Sequence, residues 1–112
     1  MALLIVCAQS EDTIAAPGNR QSNYIVVSVT TSTGSPVTGL NVKNFLVDPM
    51  IVGPGGALVN IMRVTAGRLP GFYHVDVVPI NVQTWKAGVY IFAIAVTKGA
   101  SKGQTLASVK MD

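Results

Sequence analysis

His74 and Asp76 stand two residues apart in a Val-rich run, so on a strand they share one face. The chemistry open to such a pair is general acid–base work or part of a metal site. A metal needs three or four ligands, and one Cys with one His excludes a Cys/His zinc cluster within one chain. The bland reading is a solvated outer face with a modest ion pair, and it is the one expected. Cys7 as a nucleophile would need His74 brought to it as base. It alternates into an apolar run, so a buried, inert thiol is expected. No Ser sits in a G-x-S-x-G elbow between strand and helix. Gly53, Pro54, Gly55 and Gly56 lack the following Lys-Ser/Thr and the helix N-terminus of a phosphate loop. Five acids dispersed over 112 residues do not cluster for calcium. The sequence therefore offers no catalytic residue, no metal ligand and no cofactor, and a non-enzymatic protein is expected. Trp85 has two readings: the plug of one end of a sandwich, or a platform on which a sugar ring stacks.

The elements that would carry these residues follow from composition. At 112 residues the chain is read as one domain spanning 1–112. Apolar residues make up 49%, enough for a core, and charged residues only 12%, which argues against disorder. No apolar run approaches the ~18 residues of a membrane helix, so no membrane insertion is expected. The net charge is +3 and no two basic residues adjoin, so nucleic acid is not an expected partner. The opening run from Met1 to Cys7 looks briefly like a lipoprotein signal. It lacks a basic start, and Val6 stands where a small residue is required, so it reads as a first strand. Sparse charge with Val and Thr enrichment favours a secreted, surface or virion β-protein over a cytoplasmic one, without fixing the compartment.

Helical periodicity is nearly absent. Short Val/Ile/Thr/aromatic runs are punctuated by Gly, Pro, Asn and Ser, and seven strands are predicted at 2–9, 23–31, 42–47, 57–64, 72–78, 89–97 and 104–111. Gly34 and Pro36, Pro70 and Gly71, and Gly99 and Gly103 mark the turns. Helix is confined to a turn within 14–20 or 82–86. Seven short strands with turns every 8–12 residues predict an all-β, antiparallel β-sandwich, with a small closed β-barrel as the alternative.

The stretch Trp85, Lys86, Ala87, Gly88, Val89, Tyr90, Ile91 and Phe92 resembles the tyrosine corner of immunoglobulin-like sandwiches. Residues 35–40 followed by Asn44 and Phe45 are similar to a connection in bacterial surface immunoglobulin-like and macroglobulin-like modules. About fifteen residues carry the likeness. Phe92 stands at the disulfide position, so the resemblance is to a Cys-free variant. It implies an immunoglobulin-like fold in which Trp85, Gly88 and Tyr90 form a structural corner, with the Tyr90 hydroxyl bonded to backbone near residues 83–86. Fold likeness alone conveys no function.

Two features point to partners. The strand at 89–97 is apolar on both sides. If Tyr90, Phe92, Ile94 and Val96 face the core, Val89, Ile91, Ala93 and Ala95 face outward, where a sandwich is normally polar. That predicts an interface: a homo-oligomer or docking to a neighbouring domain, unless residues 14–20 or Met50, Ile51 and Val52 fold over the row. The first strand is likewise apolar on both sides and could add to a neighbour's edge. Secondly, alternating strand direction puts Arg68, Lys98 and Lys102 at one end without an acid. Glu11, Asp12 and Asp48 lie at the other with Arg20 and Lys86. The basic end is expected to favour an acidic protein or glycan surface. The expected function is a non-catalytic interaction or structural module of a surface, secreted or multi-component assembly. The alternatives are a carbohydrate-binding module using Trp85 and a viral or phage structural component.

Overall fold

A computed structural model describes residues 3–10, 23–51, 59–80, 84–85 and 88–111. Alternation of branched apolar and small polar residues gives strands rather than helices, because branched side chains fit a pleated surface with one face buried. Among the described residues seven strands form: β1 (Leu4–Ser10), β2 (Asn23–Thr31), β3 (Phe45–Ile51), β4 (Val59–Ala66), β5 (Phe72–Pro79), β6 (Gly88–Lys98) and β7 (Ser101–Met111). They pair antiparallel in two sheets, a four-stranded one ordered β1-β2-β5-β4 and a three-stranded one ordered β3-β6-β7. The inner rows of the two sheets supply one core. Ile25, Val27, Val29, Val75 and Val77 come from the first sheet, and Tyr90, Phe92, Ile94 and Val96 from the second. Each such side chain, fully buried, contributes roughly 1.5–3 kcal/mol.

The molecule is an all-β sandwich. Among the described residues the two sheets do not close into the barrel considered as an alternative. The sheets meet, among the described residues, at a seam where β1 runs alongside β7 and a parallel bridge links Leu3 to Lys102. That seam accounts for a misplaced turn. Gly103 does not bracket a hairpin loop; β6 turns into β7 at Gly99 and Ala100, and Gly103 lies inside β7. A Cβ there would run into the Leu4 carbonyl oxygen and stand 3.0 Å from Val6 Cγ2, so the β1 backbone approaches where only Gly leaves room.

The third strand starts later than predicted. Val42–Asn44 is a short 3-10 turn, and the strand begins at Phe45. Asn41 and Asn44 cap that turn reciprocally: the Asn41 side chain accepts from Lys43 N–H, and the Asn44 side chain accepts from Asn41 N–H. Local side-chain bonds of this kind compete with strand pairing and win here. Of the two segments where a helical turn was predicted, 14–20 lies outside the described residues and 82–86 is described only at Thr84 and Trp85.

Candidate interaction surfaces

The outer face of the four-stranded sheet holds the polar candidates. His74 and Asp76 share that face, but each has a different partner. The His74 ring stacks on Tyr24, with centroids 4.7 Å apart and planes 12° apart. Asp76 Oδ2 accepts from Arg63 Nε at 2.6 Å. Asp76 is buried, not solvated as expected, because Arg63 and Tyr24 stand opposite it on the two flanking strands. Cys7 is a second correction. It is exposed, because β1 turns Leu4 and Val6 into the core and leaves Leu3, Ile5 and Cys7 outside. Among the described residues no three of His, Cys, Asp and Glu come together.

Trp85 is fully buried and meets Tyr90 edge-on, with ring centroids 5.4 Å apart. A buried indole presents no face to a sugar, so the stacking platform is withdrawn. Tyr90 in turn lies over Phe92 at 5.9 Å. Gly88 opens β6 just ahead of Tyr90. Of the backbone expected to receive the Tyr90 hydroxyl, 83–86, residues 83 and 86 lie outside the described residues. The sequence places Tyr73 inward with Val75 and Val77, as found, but does not show the hydrogen bonds of its hydroxyl. Its buried hydroxyl donates to Val37 O at 2.6 Å and accepts from Leu40 N–H at 3.3 Å, pinning the β2–β3 connection onto β5. The signal was the inward phase of Tyr73 among Val75 and Val77, since a buried phenol needs a hydrogen-bond partner.

The second strand row of β6 faces outward. Val89 is exposed, and Ile91, Ala93 and Ala95 are half-buried. Two leucines not noticed in the sequence extend this row. Leu46 on β3 stands opposite Ala95, and Leu106 on β7 stands opposite Ala93; they are 59% and 62% exposed. Their signal was phase, since each alternates with core residues, Phe45 and Val47 or Ala107 and Val109. Ile51 does not fold over the row: β3 continues beside β6 and brings Ile51 into register with Ile91. Residues 14–20 and Val52 lie outside the described residues. The edge of β1, the other surface predicted for assembly, is engaged by β7 at its Leu3 end.

The connections β2–β3, β4–β5 and β6–β7 meet at one end of the sandwich. Lys98 Nζ donates to Thr38 O at 3.2 Å, and Asn44 Nδ2 donates to Thr97 O at 2.8 Å. On the other side, Pro36 packs over Gly71. Arg68, Lys98 and Lys102 are exposed there, and Lys43, not counted before, joins them. Of the residues expected at the other end, Asp48 is exposed on β3, while Glu11, Asp12, Arg20 and Lys86 lie outside the described residues.

In comparisons with known proteins, no family model, no curated protein and no solved structure matches the chain.

Proposed function

We propose that the chain is an immunoglobulin-like interaction module without catalysis of its own, which packs the outer face of β3, β6 and β7 against another protein surface, in the first instance a second copy of itself. A surface, secreted or virion assembly is the setting this reading favours. Supporting the fold assignment, the orders β1-β2-β5-β4 and β3-β6-β7 match the strand order of the seven-stranded constant type of that fold. Tyr90, near the start of β6 and against Trp85, stands where that fold carries its corner tyrosine.

The observation that carries the functional reading is the apolar outer row. Leu46, Ala95, Ala93, Leu106, Ile91 and Val89 lie side by side in the register of three strands. Contiguous apolar surface of this kind marks interfaces on soluble proteins. Small central residues flanked by leucines give a flat strip, suited to close approach by another sheet. Sedimentation equilibrium tests the reading. The parent should be a dimer or larger. Leu46→Lys with Leu106→Lys, at exposed positions that spare the core, should be a folded monomer, as should Ile91→Lys with Ala93→Lys. A parent that stays monomeric at its highest soluble concentration, or variants of unchanged mass, overturns it.

A further inference from the structure

The basic end is a separate surface from the apolar strip, and its physics is different. Lys43, Arg68, Lys98 and Lys102 are half of the eight bases of the chain. No acid occurs in residues 32–47, 64–75 or 97–111, the connections of this end and the strand ends that carry them. Among the described residues the one salt bridge is Arg63 to Asp76, so none of these four cations is neutralised by a described carboxylate.

Residues 36–40 form a ridge across this end. It is held from several directions: Val37 N–H donates to Val29 O at 3.0 Å, Tyr73 holds both Val37 and Leu40, and Lys98 holds Thr38. A shallow groove runs along each flank. One, about 300 Å³, lies between Thr38 and Gly39 of the ridge and Arg68, Leu69 and Phe72 of the β4–β5 side. The other, about 250 Å³, lies between Pro36 and Thr38 of the ridge and Leu4, Lys98 and Ser101. Each groove thus has one cation on its wall and apolar carbon beside it. Leu69 and Val42 are exposed at the same end.

We propose that this end binds an extended acidic peptide segment in which carboxylates alternate with apolar side chains. Charge complementarity selects the acid: four cations without a described carboxylate partner attract and orient an anionic chain. Leu69, Phe72 and Val42 select a peptide over a nucleic acid or a sulfated glycan, because a polyanion without apolar side chains leaves that surface in water. The ridge is already fixed by its hydrogen bonds, so little ordering of this chain opposes binding.

The test is fluorescence anisotropy of a fluorescein-labelled peptide alternating Glu with Leu and Thr, titrated with the intact protein. A poly-Glu peptide, a sulfated heparin oligosaccharide and a single-stranded oligonucleotide serve as competitors. The alternating peptide should bind best, and more weakly as salt rises. Arg68→Glu and Lys102→Glu, neither of which touches the ridge bonds, should each weaken it roughly tenfold. Leu69→Ser should weaken the alternating peptide and leave poly-Glu unchanged. Lys110→Glu, opposite Val89 at the far end of β7, changes the net charge equally and should have little effect. Absence of binding, or equal loss with Lys110→Glu, overturns the site. A sulfated oligosaccharide or oligonucleotide that binds as tightly as the alternating peptide overturns the choice of partner.

Discussion

The Tyr73 hydroxyl donates to the Val37 carbonyl oxygen at 2.6 Å, tying the crossover between the two sheets to the inner face of β5. The Tyr73 hydroxyl oxygen also accepts from Leu40 N–H, so one side chain satisfies two backbone groups of a connection that has no ladder of its own there. Tyr73→Phe removes both bonds while keeping the ring against Phe45, 5.5 Å away. The loss should be about 1 kcal/mol, rising toward ~3 if Val37 O is left without water. Urea unfolding measures it, and hydrogen exchange at Leu40 should speed up. An unchanged midpoint with unchanged exchange would show the connection to be held by other contacts.

Gly103 makes a different kind of joint. Its missing side chain lets the β1 backbone lie against β7, with Leu4 carbonyl carbon 2.9 Å from where a Cβ would sit. Gly103→Ala must push the strands apart, and overpacking of this kind costs typically 1–3 kcal/mol, about the same as a lost core methylene or two. The damage should be local: amides of β1 exchange faster, while those of β4 and β5 do not. Gly103→Ala melting with the parent and protecting β1 equally would mean the seam is loose.

Trp85 fills the end of the core with its ring against Tyr90. Trp85→Ala should cost roughly 3–5 kcal/mol, a large part of a domain's total stability, so poor folding is the expected result. Tyr90→Phe keeps the ring contacts and isolates the hydroxyl. It should cost about 1 kcal/mol if the corner bond to the backbone near residues 83–86 exists. Identical melting of Tyr90→Phe and parent would reduce Tyr90 to a core aromatic.

The central strands of the four-stranded sheet, β2 and β5, were legible because their two faces differ in polarity. In β2, Ile25, Val27 and Val29 alternate with Tyr24, Ser28 and Thr30, so element and phase both follow from the residues. Phase was not legible in β1, where Leu3, Ile5 and Cys7 are as apolar as Leu4, Val6 and Ala8. The neighbouring sheet decides which row turns in, and Cys7 was assigned to the wrong side. Gly103 was misread because a glycine at a turn and one at a close approach look alike in sequence. The outward apolar row of β6 was readable from its own pattern. Leu46, Leu106 and the groove-flanked ridge were not, since they depend on register across strands and on Tyr73 reaching residues more than thirty positions away.

The pair Arg63 and Asp76 was also beyond the sequence, because a bulge intervenes. The register of β4 against β5 shifts between Ile61 and Arg63, so Ile61 and Val64 both turn inward and Arg63 comes to stand opposite Asp76. The partners are unequally placed: the Arg63 side chain is 62% exposed and that of Asp76 only 13%. Removing Asp76 leaves a guanidinium already in water, so Asp76→Ala should lose little beyond the pair itself, about 0.5–1 kcal/mol. Removing Arg63 leaves a largely buried carboxylate without its ionic donor, so Arg63→Ala should cost more, roughly 1–3 kcal/mol. The double variant should fall close to Arg63→Ala or above it in stability, since the stranded charge is gone. A double-mutant cycle by urea unfolding, repeated at high salt, measures this. Coupling near zero at low salt would show that the short contact contributes geometry to the bulge but no net stability, and equal single losses would show that the stranded carboxylate carries no extra cost.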